Sequence, residues 1–293
     1  MTRPDGTRVV RRGKVWLVGA GPGDPELLTV RAHRLIATAR VVAYDELVSP
    51  AVLALVPADA ERIPVGRRAG GCRHHEARIH PLVVLRAIEG HEVVRIKGGD
   101  PLVFGRGGEE AEELARAGIA FEFVPGISAA LAAAAAMNIP LTHREWASRV
   151  TFATAHSAPA AGSPTGAVDR ESTLVFYMAL GRVEETCAEL VASGRTADTP
   201  AAVVSRASLP DARIVTGTLA DLGAKVRAAA LQPPALLIVG AVVGGFLYTL
   251  VEGAQGEPFS LSGNAWHGWI VSILGAMLVL WAYERLYPRR WWQ

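Results

Sequence analysis

Two stretches of the chain concentrate the residues able to do chemistry. The first is KGGDPLVFGRGGEE, residues 97–110, in which two glycine clusters, Gly98 with Gly99 and Gly105 with Gly107 and Gly108, bracket Asp100, Val103 and Arg106. Glycine permits backbone torsions and close approaches that a Cβ forbids, and Pro101 holds Asp100 in an extended shape. The second is Asp45, the acid that follows the apolar run Val41 to Tyr44. An acid at a strand end in an α/β protein is either a ligand or general-base position or the cap of the next turn, and the pattern alone leaves both open. Arg67 and Arg68, in GRRAGG, suit a bidentate clamp on carboxylates or a solvated basic turn. Cys72, His74, His75 and His80 (CRHHEARIH) invite a metal, but their spacing fits no zinc module, so a polar loop and no metal are expected.

The elements that must position these residues follow from hydrophobic periodicity. Lys14 to Val18, Val41 to Tyr44, Ile63 to Val65, Val93 to Ile96 and Ala120 to Val124 read as strands. Helices are expected over 30–39, where Thr29 is a good N-cap, over 81–87, and from Glu109 to Ala117, where the acids suit the positive N-terminal end. The alanine-rich run 127–137 forms another helix, and Ser128 and Ala129 in its first turn leave room for a ligand to reach exposed N–H groups. Further on, strands are expected at 150–155, 173–177, 201–205 and 235–239, and helices at 182–193 and 218–230. Met178, ending a buried strand, reads on pattern alone as core filling. The organisation is a tail (1–13), an α/β domain (14–125), a second α/β domain (126–240) and a hydrophobic segment (241–293).

KGGDPLVFGRGGEE closely resembles the signature of the uroporphyrinogen-III C-methyltransferases, a group within the tetrapyrrole methylases, and the likeness runs from about Gly13 to Gly240. The resemblance implies a two-domain tetrapyrrole methylase fold with its active site in the inter-domain cleft. It also implies a homodimer, and two methyl transfers from S-adenosylmethionine to uroporphyrinogen III, giving precorrin-2. GAGPGDPELLT (19–29) resembles the family's cleft-mouth loop, in which the proline matching Pro22 touches the donor. YDELVS resembles YDRLVS, whose aspartate, here Asp45, is the proton acceptor. GRRAGG resembles GKRAG, whose lysine is the proton donor; here that place is Arg67, which is effectively never deprotonated. The donor-binding loop corresponds to Gly98, Gly99, Asp100 and Val103. VPGISAA resembles VPGITSA, assigning Ser128 and Ala129 to the donor, and IPLTHR places His143 and Arg144 in the cleft. FYMAL and SRASLPDARIVTGTL resemble the segments that assign Met178 and Ala207 to the donor, with Ala179 and Ser205 replacing the usual glycine and glutamate. Arg68, Arg106, His143 and Arg144 are then candidates for the substrate's carboxylates. A methylase of a later corrin precursor, or a membrane protein with an impaired methylase domain, are the alternatives.

A formal net charge of +2 over 293 residues argues against nucleic-acid binding. Cys72 and Cys187, far apart, fit a reducing compartment. The mean hydropathy of +0.24 is carried by the C-terminus. Residues 265–283 hold no Lys, Arg, Asp or Glu, and tryptophans and tyrosines flank both ends, as expected of a transmembrane helix. Arg285, Arg289 and Arg290 place the C-terminus inside. A cytoplasmic catalytic domain then needs a second crossing, and its only candidate, 235–251, overlaps the last expected strand. This tail resembles part of the GlsB/YeaQ/YmgE-type small membrane proteins, the transglycosylase-associated group. The expectation is a cytoplasmic enzyme held at the inner face of the membrane.

Overall fold

The computed structural model describes residues 12–66, 79–144, 146–155, 172–240 and 243. The chain divides into two units, Met1–Leu247 and Tyr248–Gln293, and all described residues belong to the first. The expected span at 265–283, with Arg67, Arg68, Cys72, His74 and His75, lies outside the described residues. Among the described residues no helix is long and apolar enough to cross a membrane.

The N-terminal half is a parallel five-stranded sheet in the order β3-β2-β4-β1-β5, formed by β1 (Lys14–Gly19), β2 (Val41–Tyr44), β3 (Glu61–Pro64), β4 (Val93–Lys97) and β5 (Ala120–Val124). Four helices connect them: α1 (Val30–Ala37), α2 (Pro50–Leu53), α3 (Pro81–Ile88) and α4 (Gly107–Arg116). α1 starts where expected, because the Thr29 hydroxyl accepts from Ala32 N–H. The chain leaves β1 toward β2 and leaves β4 toward β5, so the adjacent β1 and β4 ends form the switch point at which open α/β sheets bind ligands.

β4 is buried along its whole length. Val94 and Ile96 face the cluster under α1. Arg95 and Lys97, two residues apart on the pleat, share the other face with Val93, on which Ala111 and Leu114 of α4 pack.

The C-terminal half opens with α5 (Ala129–Met137). It is built on the mixed sheet β6-β7-β10-β8-β9, formed by β6 (Arg149–Thr154), β7 (Ser172–Tyr177), β8 (Pro200–Ser205), β9 (Arg213–Thr218) and β10 (Ala235–Val239). Only β6 and β7 run parallel; the other pairs are antiparallel. α6 (Val183–Ala192) and α7 (Leu222–Ala229) contribute to one core, α5 to the other.

Three expectations change. β9 lies where no strand was expected, and the helix anticipated from 218 begins at Leu222. β9 is an exposed edge strand whose RIVTGT lacks a long apolar run. β10 is a central, fully buried strand, so Ala235–Val239 cannot serve as a second membrane crossing. Glu110 stands in the first turn of α4 as expected, and is in addition a buried ion-pair residue.

Candidate active site

The loops that follow the strands converge. Gly21 and Gly99 exchange backbone hydrogen bonds, Gly99 N–H to Gly21 O at 2.7 Å and Gly21 N–H to Gly99 O at 3.1 Å, which ties the loop after β1 to the loop after β4. Both have left-handed torsions, φ +65° and +68°. The backbones of Gly19, Gly99 and Gly126 cross so closely that a Cβ on Gly19 would lie 2.6 Å from Gly126 N and 2.7 Å from Gly99 O. Glycine is required here by the approach of three chain segments.

Asp100 braces this crossing. One carboxylate oxygen accepts from Gly126 N–H at 3.0 Å and the other from Leu102 N–H at 2.8 Å. Pro22 sits beside Gly21, half-buried. A Cβ on Gly23 would meet Leu209 at 2.7 Å, so the loop holding Ala207 closes over the first glycine loop. The Asp45 turn packs on the same rim, since a Cβ on Gly98 would lie 3.0 Å from Leu47 Cβ.

Val103, Ala129 and Ala207 all pack against the core cluster that contains Tyr177. The Phe104 ring lies 4.7 Å from the Tyr177 ring. Ser128 caps α5 by position only; its hydroxyl shares a 2.5 Å hydrogen bond with Tyr177, whose oxygen also accepts from Ala130 N–H. Burial pushes the Tyr177 phenol pKa up, against the hydrogen bonds from Ser128 and Ala130. Met178, the next residue, is 52% exposed with φ +56°, so it is not core filling. Left-handed torsions at Phe104, Arg106, Arg206 and Ser208 fall in the same loops. Such torsions are uncommon outside glycine and concentrate at functional sites.

The structure therefore brings together Pro22, Gly98, Gly99, Asp100, Val103, Ser128, Ala129, Met178 and Ala207. Arg106 is exposed beside Glu109 at 3.3 Å. The His143 ring stacks on Trp146 at 4.3 Å, and Arg144 is exposed next to it. His80 caps α3 through Nδ1, which accepts from Leu82 N–H at 3.3 Å. Among the described residues no group of three or more His, Cys, Asp or Glu is placed to hold a metal.

Asp45 is held by residues not singled out in the sequence. Arg95 Nη2 donates to Asp45 Oδ1 at 2.5 Å and to Glu110 Oε1 at 2.9 Å. Lys97 Nζ lies 2.8 Å from Glu110 Oε1 and 3.8 Å from Asp45 Oδ2. Burial works against the Arg95 cation, but the charges of Asp45 and Glu110 outweigh it and raise its pKa. The available signal was two charges at alternate positions of a strand otherwise built for burial.

Residues 14–223 match the family model of tetrapyrrole (corrin/porphyrin) methylases. The chain belongs to the tetrapyrrole methylases. A siroheme synthase of Pseudomonas putida is 49% identical over 241 residues, covering 82% of this chain and 52% of that protein. Siroheme synthase 2 of Halorhodospira halophila is 47% identical over 83% of this chain and 50% of its own length. The chain thus spans about half the length of these curated relatives. The crystal structure of uroporphyrin III C-methyl transferase from Thermus thermophilus is 42% identical over 80% of this chain and 100% of that one, with TM-score 0.66. The Thermus thermophilus enzyme has also been solved in complex with S-adenyl homocysteine. A cobalt precorrin-4 methyltransferase reaches TM-score 0.70 at 31% identity, covering 78% of this chain and 95% of that one. Residues 238–287 match the transglycosylase associated protein family.

Proposed function

We propose that this tetrapyrrole methylase transfers two methyl groups from S-adenosylmethionine to ring carbons of uroporphyrinogen III, giving precorrin-2 on the route to sirohaem and cobalamin. The observation that carries this reading is the seating of the Asp45 turn on Gly98, which puts a carboxylate and a glycine cradle on one rim. The higher identity to the uroporphyrin III enzyme than to the precorrin-4 enzyme favours the earlier substrate over a later corrin precursor.

The cradle fits the donor. Gly98, Gly99 and Asp100 offer backbone at close range, Ser128 and Ala129 open a helix N-terminus, and Pro22, Val103, Met178 and Ala207 supply small or apolar surface. The sulfonium methyl is already electrophilic, so the protein's main task is to hold it in line with the nucleophilic carbon. A ring carbon bonds the methyl, the S–CH3 bond breaks with its electron pair left on sulfur, and Asp45 accepts the ring proton. Exposed Phe104 and Met178 form an apolar rim for the macrocycle, and Arg68, Arg106, His143 and Arg144 meet its carboxylates. Arg67 assists by charge alone, because a guanidinium does not give up its proton.

On this reading the two sheets are two domains, 14–125 and 126–240, with the substrate cleft between them and two copies forming a dimer. The match of 238–287 to a transglycosylase associated protein supports a hydrophobic tail, with residues 265–283 crossing the membrane and the methylase at its inner face. Labelled S-adenosylmethionine and enzymatically generated uroporphyrinogen III, incubated with the full chain in detergent, should give a dimethylated product that Asp45→Ala abolishes. Donor binding without label transfer would leave a membrane-associated binding protein in its place. Recovery of the full chain in the soluble fraction after lysis would remove the anchor.

A further inference from the structure

We propose that Arg95, Lys97 and Glu110 are positioning residues that fix the Asp45 carboxylate and set how readily it takes up a proton; this rests on Asp45 being the proton acceptor of the reaction above. Arg95, Lys97 and Glu110 are 5%, 3% and 7% exposed at their side chains, whereas Asp45 is 24% exposed. The cluster therefore opens toward solvent at Asp45. Its charges balance, two cations against two carboxylates. A buried strand does not need such a group for stability, since well-packed apolar side chains serve as well or better. Nor is the arrangement optimised as a brace: Arg95 Nε and Glu110 Oε2 are buried without hydrogen-bond partners. What the geometry does achieve is an Asp45 carboxylate gripped from below, with Arg95 on one oxygen and Lys97 near the other.

Among the described residues, the charged groups paired around Asp45 are Arg95 and Lys97 from β4 and Glu110, one step behind them, from α4. Glu46 adjoins Asp45 in the same turn, and its carboxylate lies against Gly66 at the end of β3. Tyr44 precedes it in β2. Arg67 and Arg68, which follow Gly66, lie outside the described residues. Lys97 and Glu110 therefore pull Asp45 in opposite directions. Without Glu110, two cations face one carboxylate and protonation becomes harder. Without Lys97, one cation is shared between two carboxylates and protonation becomes easier. A neighbouring charge at this range moves a carboxylate by about one pH unit or more.

The test is the titration of the Asp45 carboxyl by carbon-13 NMR in the full chain, assigned by the signal lost in Asp45→Asn. The midpoint should rise in Lys97→Gln and fall in Glu110→Gln, each by about one pH unit. The Lys97→Gln, Glu110→Gln double variant, again balanced, should return to the unaltered protein. In active protein the acidic limb of the methyl-transfer rate should follow the same order. A merely structural role predicts that both single variants move together or not at all, and either result overturns the proposal. Each single variant is decisive alone against the unaltered protein. Ordered midpoints without methyl transfer would overturn only the activity proposed above; unordered midpoints in an active protein would overturn only the role of the cluster.

Discussion

The Tyr177 phenol, at the end of β7, lies 2.5 Å from the Ser128 hydroxyl and receives Ala130 N–H at 3.3 Å. A side chain from the second sheet thus caps the helix whose start carries Ser128 and Ala129, the small pair proposed to face the donor. Tyr177→Phe leaves the packing and removes the cap. Loss of this buried polar pairing should cost about 1–2 kcal/mol, read as a lower Tm. S-adenosylhomocysteine affinity should fall as well, because the frayed helix start no longer holds Ser128 and Ala129. Unchanged affinity with a lowered Tm would mean that the cap serves stability alone.

The crossing of Gly19, Gly99 and Gly126 gives a steeper expectation. A methyl on Gly19 meets backbone on two segments, which cannot move like a side chain. Gly19→Ala should therefore destabilise by about 1–3 kcal/mol, the usual cost of overpacking, or more, and abolish donor binding. Gly108→Ala, where an added Cβ meets nothing within 4 Å, should be tolerated, and the pair of variants separates crowding from a general need for glycine. Thermal unfolding of both proteins, followed by calorimetric titration with S-adenosylhomocysteine, checks it.

Much of this arrangement was legible in the chain and some of it was not. The strand before Asp45 announces itself because a buried parallel strand reads as an unbroken apolar run, and the strand before Gly98 shows through Val93, Val94 and Ile96. Thr29 as a cap and the glycine clusters are local signals, and local signals survive without tertiary context. β9 escaped because an edge strand packs on one side only and RIVTGT carries little hydrophobicity. The burial of Arg95 and Lys97 escaped because a charge in a strand reads as a solvated position until α4 is seen to cover it, and the pairing of Glu110 with them escaped because it joins a helix to a strand. The Tyr177 cap and the glycine crossing join segments far apart in sequence, so no spacing rule reveals them. The donor roles proposed for Met178 and Ala207 rest on the family likeness rather than on their residue types.

Cys187 offers a prediction in pH. It is buried in the core between α6 and the second sheet, and burial pushes its thiol from 9.0 up to about 11. The folded protein therefore holds the proton more tightly than the unfolded chain does. That contribution to stability is complete below pH 9.0 and is lost as pH rises through about 11. Cys187→Ala should lower Tm at neutral pH through the small cavity it leaves, and should show a shallower fall of Tm between those two pH values than the unaltered protein. Parallel curves for the two proteins would show that the thiol does not titrate in this window.

Met178 sets stability against binding. Its left-handed backbone, φ +56°, suits glycine, and its side chain is 52% exposed, so little packing offsets the strain. Met178→Gly should relieve about 1 kcal/mol of backbone strain, partly offset by the freedom glycine adds to the unfolded chain. The Tm should hold or rise. If the thioether contacts the donor, as proposed, the same variant should bind S-adenosylhomocysteine roughly tenfold more weakly, the loss that about 1.4 kcal/mol of apolar contact represents. Met178→Leu, which restores bulk on the strained backbone, should recover most of the affinity and return the Tm to that of the unaltered protein. Tighter or equal binding by Met178→Gly would remove Met178 from the donor site and leave its strain without a function.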